Sequence, residues 1–259
     1  MVGVVLFLVS SGGAGCRIRS KGPYWIETHG GARGDRVAGW ALGVFLLGGD
    51  RNLWGYPGPW NEPWVAKARG VPLRAITAAH TAVYGLLSDG RAARFTGSSW
   101  SPIEGSQAWN ASEIAVTQDD HLLVITAGKL RSVVRTDLKE LSCDPHPNLV
   151  GVAAVATDEA FVIDHVGSLY FNGSGRCDEV PAPVRFRRIA ANTNRLLGVA
   201  TDGSVWRRRE NAWSKLPVPF KNRPGLPPSA AQPQDVGLSA YSSWLVDSEG
   251  SVYILSDEV

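Results

Sequence analysis

Five histidines, His29, His80, His121, His146 and His165, are the residues of this 259-residue chain best suited to acid–base or metal chemistry. Zinc needs three or four His, Cys or carboxylate ligands brought close together, usually in short spaced pairs. No His here stands at such a spacing from a Cys or an acidic partner. The nearest approach is Gln118-Asp119-Asp120-His121, where Asp is first of all a turn former. The chain has no Gly-x-Ser-x-Gly elbow, no phosphate-binding loop and no dinucleotide fingerprint. The expectation is a non-catalytic protein with no metal and no cofactor. A net charge of +2 is too small to indicate nucleic acid, so no nucleic-acid partner is expected.

The elements that position these side chains come from a repeat. With Gly203 of Thr201-Asp202-Gly203-Ser204-Val205-Trp206 as anchor, equivalent stretches have anchors at Arg51, Gly90, Gly128, Gly167 and Gly250. The spacings are 39, 38, 39, 36 and 47. Six residues before the anchors stand Phe45, Tyr84, Leu122, Phe161, Leu197 and Trp244; four before stand Leu47, Leu86, Val124, Ile163, Val199 and Val246. Fourteen before stand Val37, Ile76, Ile114, Ala153, Ile189 and Val236. Alternation of this kind predicts strands with one buried face. Asp-Gly at the anchor supplies the positive φ of a tight hairpin.

Each unit reads as four antiparallel strands, A to D, with small residues in strand A where the units would crowd a common axis. The fold class is all-β: a single six-bladed β-propeller of four-stranded antiparallel blades. Strand D is headed by Trp64, Trp100, Cys143, Cys177 and Trp213, five markers for six units. The sixth is Trp25. Residues 23–28 are expected to supply the outer strand of the last blade and close the ring, which removes a free sheet edge. The Pro-rich stretch 217–234 explains the long last spacing as a surface loop. Export would permit a disulfide between Cys143 and Cys177, but equivalent outer positions in adjacent blades favour the reading in which each is a small buried group in a Trp slot.

Residues 1–15 read as an export signal, with an apolar run from Val2 to Val9 that is too short to span a bilayer. Gly13-Ala14-Gly15-Cys16 resembles a bacterial lipobox, which implies lipidation of Cys16, a 16–22 linker and a propeller over 23–259. The expected location is extracytoplasmic: anchored to a membrane through that lipid, or secreted.

The stretches "AITAAHTAVYGLLSDGRAARF" and "RIAANTNRLLGVATDGSVWRR" resemble the regulator-of-chromosome-condensation repeat. "GSSWSPIEG" and "NAWSKLP" resemble the tectonin repeat of tachylectin-type lectins. The resemblance implies a binding module: a lectin-like propeller for surface glycans or, alternatively, a protein-binding scaffold or inhibitor. Strand directions put A–B and C–D turns on one rim. There the candidate ligand-binding residues are Trp40, His80, Asn192, Asn194 and Tyr241 from A–B turns, with Tyr56 and Trp60 from the first C–D turn. Aromatic rings beside amides suit sugar or peptide. Arg185, Arg187, Arg188, Arg195, Arg207, Arg208 and Arg209 cluster in unit five, either as a solvated blade surface or as a patch for a polyanion.

Overall fold

The structure is a computed structural model that describes residues 23–28, 32–39, 43–56, 63–70, 72–79, 82–141, 143, 148–173, 175–218 and 231–256. The export and linker segments, Cys16, and most of the Pro-rich loop lie outside the described residues.

Six four-stranded antiparallel sheets form the molecule. Blade 1 is β2 (Arg36–Gly39), β3 (Val44–Leu47), β4 (Leu53–Tyr56) and β5 (Val65–Ala68). Blade 2 is β6 (Leu73–Ala78), β7 (Val83–Leu87), β8 (Ala92–Phe95) and β9 (Trp100–Pro102). Blade 3 is β10 (Ala111–Val116), β11 (Leu122–Thr126), β12 (Lys129–Val134) and β13 (Asp137–Glu140). Blade 4 is β14 (Leu149–Ala156), β15 (Glu159–Asp164), β16 (Leu169–Gly173) and β17 (Arg176–Glu179). Blade 5 is β18 (Phe186–Asn192), β19 (Arg195–Ala200), β20 (Val205–Arg209) and β21 (Ala212–Leu216). Blade 6 takes β22 (Pro233–Leu238), β23 (Ser243–Asp247) and β24 (Val252–Leu255) from the end of the chain and β1 (Trp25–Glu27) from its start.

The ring therefore closes as expected, with Trp25, Ile26 and Glu27 opposite Leu255, Ile254 and Tyr253. Trp25 is buried among Leu197, Val199, Val205 and Leu216 of blade 5, and its Nε1 donates to the Pro217 carbonyl at 2.8 Å. The inner strands β2, β6, β10, β14, β18 and β22 neighbour one another in turn around the axis. Close approach needs glycine where β2 meets β22: a Cβ on Gly39 would lie 2.3 Å from the Leu238 backbone.

The B–C hairpins behave as the Asp-Gly pattern predicts. Asp89, Asp202 and Asp50 each accept a hydrogen bond from the backbone N–H two residues on. In blades 4 and 6 the carboxylate comes two residues earlier, from Asp164 and Asp247, and accepts two N–H groups. Arg51, the one anchor that is not Gly, still has φ 62°.

Three expectations need correction. Strand B is not buried on one face only: β7, β11 and β23 are buried at every residue, because each blade is covered by a neighbour on both sides. The gap-free register also fails in blades 3 and 4. In blade 3 the B–C turn shrinks to Ala127-Gly128, both at positive φ, so Ile125 pairs with Leu130 and Leu123 and Ile125 replace Leu122 and Val124 in the core columns. In blade 4 Val152 takes the place assigned to Ala153, since a bulge between Ala154 and Ala156 adds one residue ahead of the A–B turn. Finally, Cys143 and Cys177 form a disulfide with Cα atoms 4.8 Å apart, well within bonding range. They are not equivalent positions. Cys177 lies within β17, whereas Cys143 lies three residues beyond β13.

Candidate ligand-binding rim

The turns β18–β19, β20–β21 and β22–β23 converge where blades 5 and 6 meet on the A–B/C–D rim. They enclose a groove of about 660 Å³ walled by Asn194, Arg195, Arg208, Arg209, Asn211 and Tyr241. A second hollow, about 170 Å³, is the mouth of the axial channel on the same rim. Asn192, Ala240 and Tyr241 border both, so the two are continuous.

Three of the predicted site residues are brought together here. Tyr241 is 74% exposed and presents its ring to solvent. Asn194 is exposed at the tip of the blade 5 turn. Asn192 holds that turn in shape: its Oδ1 accepts from the backbone N–H groups of Asn194 and Arg195 at 3.1 and 3.0 Å, and its Nδ2 donates to Ser239 O at 3.3 Å. Tyr56 is elsewhere. It is 4% exposed in the core, with ring centroids 5.1 Å from Trp64 and 5.9 Å from Trp244, and has no face for a ligand. Trp40, Trp60 and His80 lie outside the described residues.

The arginine cluster of unit five divides. Arg185 bonds Ser168 Oγ, and Arg187 bonds the Pro233 carbonyl of the next blade. Arg195 spans to blade 6, donating to Ser239 O at 2.7 Å and Ala240 O at 3.0 Å, which fixes the floor of the groove. Arg208 lies over the Phe161 ring at 5.8 Å and donates to Asn211 Oδ1 at 2.5 Å. Its Nε is buried without a hydrogen bond, and burial lowers its pKa.

Arg188 points into the axis. It belongs to a ring of equivalent inner-strand positions, Arg36, Ala75, Glu113, Gly151, Arg188 and Asp235, all lining an axial cavity of about 120 Å³. Arg36 lies 3.7 Å from Asp235, and Arg188 reaches 3.6 Å from Glu113 and 4.0 Å from Asp235. Asp235 Oδ2 also accepts from Val37 N–H at 2.9 Å. Burial raises the carboxyl pKa of both Glu113 and Asp235, against the pull of Arg36 and Arg188. Sequence reading missed this ring. Its signal was a charged residue just ahead of the apolar marker of strand A.

Among the described residues a Ser–His–Asp grouping occurs in blades 3 and 4. His121 Nε2 lies 2.6 Å from Ser132 Oγ and 3.5 Å from Asp158 Oδ1. Both contacts use the same ring nitrogen, and Ser132 is fully buried, so the group joins blades 3 and 4 and offers no accessible nucleophile. The Asp158 carboxyl is held below its usual range, first by the Ser132 hydrogen bond and then by Lys139 and His121, against its partial burial. Among the described residues no three His, Cys, Asp or Glu side chains group to hold a metal.

These features define a class: a closed six-bladed β-propeller with an asymmetric groove on its A–B/C–D rim. Solved structures agree on the fold. The WD40 propeller domain of Doa1 superposes with TM-score 0.60 at 11% identity over 89% of this chain and 94% of that one. YCF48 bound to D1 peptide gives TM-score 0.60 at 9% identity over 90% and 96%. A complex of Kap60 with yeast RCC1 (Prp20) gives 0.53 at 13% identity over 84% and 68%, in keeping with the resemblance to regulator-of-chromosome-condensation repeats. No protein-family model and no curated protein sequence matches the chain.

Proposed function

We propose that the chain is a non-catalytic, extracytoplasmic protein-binding propeller that takes an extended segment of its partner on the A–B/C–D rim. The observation that carries this is the groove at blades 5 and 6, built from unlike residues of several turns and open to the channel mouth. A site built from unlike residues suits one asymmetric partner. Repeated glycan sites would need similar residues in each blade. Two structural neighbours are themselves bound to a peptide or a protein, YCF48 to D1 peptide and RCC1 to Kap60, which supports the reading by fold analogy alone. A glycan ligand is the second reading, favoured by the 74% exposed Tyr241 ring beside Asn194, a platform on which a sugar face stacks.

The Cys143–Cys177 disulfide supports an oxidising compartment, in line with the export signal read at residues 1–15. A lipid on Cys16 would hold the protein at a membrane, and Cys16→Ser should then release it into the soluble fraction; unchanged membrane association removes the anchor.

The function is tested by selecting a phage-displayed peptide library and screening a glycan array on the same full-length protein. Peptides that bind the parent and Val166→Ser, on the opposite rim, but not Asn194→Ala/Tyr241→Ala support the proposal. A coherent sugar class with the same dependence transfers the site to glycans. Ligands indifferent to the rim substitutions refute the rim.

A further inference from the structure

We propose that the blade 5–6 groove is a carboxylate-binding site and that its occupant is an acidic peptide segment carrying apolar side chains, anchored by Arg208 and Arg209. This rests on the protein-binding reading of the same rim and adds the chemistry of the partner.

The groove has an excess of positive charge, with Arg195, Arg208 and Arg209 against Glu210. Arg195 is engaged by two carbonyls of blade 6 and serves as structure. Arg208 is different. Its guanidinium has five donors, of which Asn211 accepts one, while Nε is buried without an acceptor. An unsatisfied buried donor next to charge is costly. A carboxylate that draws the guanidinium outward would satisfy Nε and an Nη together, in the bidentate geometry that arginine favours. The guanidinium carbon lies 5.8 Å from the centre of the Phe161 ring, at the wall of the groove. Arg209 is exposed at the end of the same strand, so alternation aims the two arginines differently and spaces two carboxylates along the ligand.

The rest of the lining separates a peptide from a bare polyanion. The exposed Tyr241 ring is apolar surface that a polyphosphate cannot use, whereas a peptide with alternating acidic and apolar side chains uses both the ring and the arginines. Asn194 and Asn211 add amides able to pair with a peptide backbone.

The test is fluorescence anisotropy on the full chain with four probes: a labelled ten-residue peptide of alternating Glu with Phe and Leu, the same peptide with Gln for Glu, a sulfated heparin oligosaccharide, and a peptide from the library selection. The acidic peptide should bind, and Arg208→Gln and Arg209→Gln should each weaken it by about ten- to a hundredfold, the scale of a charge-assisted hydrogen bond. The Gln peptide should show a similar loss. Arg176→Gln, on the exposed outer strand of blade 4, should change nothing. Raising salt from 50 to 500 mM should weaken the acidic peptide alone. Urea midpoints of each variant separate lost binding from lost folding. Heparin binding without peptide binding overturns the inference. Library peptides that bind at the rim but ignore Arg208→Gln and Arg209→Gln overturn the carboxylate site and leave the proposed function standing. Absence of any rim-dependent peptide removes both.

Discussion

Trp25→Ala tests whether the ring is held closed by its N-terminal strand. The residue is 8% exposed, contributes to the cluster between blades 5 and 6, and donates its indole N–H to the Pro217 carbonyl. Truncating a buried Trp costs about 3–5 kcal/mol from lost contacts and the cavity left behind. β1 has one strand partner and three residue pairs, so much of its hold on the ring comes from this packing. For a chain of this size the urea m-value is about 2.5 kcal/mol/M, so the midpoint should fall by roughly 1–2 M. Trp25→Phe, which keeps most of the packing and loses the hydrogen bond, should cost about 1 kcal/mol of that. Tyr24, next along the chain and 51% exposed, provides the control: Tyr24→Ala should leave the midpoint in place. A Trp25→Ala protein that unfolds within about 0.2 M of the parent, a difference too small for the packing loss, would refute closure as a stabilising feature.

Three further outcomes follow from the geometry. Glu113 and Asp235 have carboxyl pKa values raised by burial, so the folded protein binds more protons there than the unfolded chain; their contribution is full below about pH 4 and is lost as pH rises through their folded values. Asp119, lowered by Thr117 and Thr157, Asp158, lowered by Ser132, and Asp202, lowered by Ser204, act in the opposite sense and lose stability as pH falls below about 4. Urea midpoints should therefore peak at mildly acidic pH, and Glu113→Gln should flatten the alkaline limb; a steady rise to pH 8 contradicts this. Arg51→Gly should stabilise the fold by up to about 1 kcal/mol, because Arg51 occupies the left-handed region at φ 62°; a loss on thermal or urea unfolding would show that its side chain matters more than its backbone. Cys177→Ser should cost about 3–4 kcal/mol under oxidising conditions, the loop-closure value for a separation of 34 residues, and should cost little once the parent is reduced.

The repeat columns were readable because the hairpins and core positions are local: an Asp, a positive-φ residue and alternating apolar neighbours lie within a dozen residues of each anchor. Ring closure was readable by the same logic, since Trp25 filled a vacant column. Other features depend on what the ring brings together. The burial of β7 and β11 on both faces comes from neighbouring blades, so alternation within one strand understated it. Tyr56 sat at a C–D turn in the pattern, but its ring turns inward to Trp64 and Trp244. The charged ring sits in a single repeat column, yet its pairing crosses the axis from Arg188 to Glu113, two blades away. The disulfide escaped because Cys143 belongs to a connector and Cys177 to a strand, so matching them as equivalents concealed their proximity. Of the rim set, Asn192, Asn194 and Tyr241 converge; what brings in Arg208 is a hairpin from a different part of blade 5.

The central claim, a ligand site at the junction of blades 5 and 6 on the A–B/C–D rim, is tested most directly by hydrogen–deuterium exchange on the full chain with and without a bound peptide. Protection should appear in the turns at 192–196, 207–211 and 239–242, which wall the groove. A bound peptide that protects the opposite-rim hairpins at 164–168 and 247–251, and leaves those turns unchanged, would contradict the account.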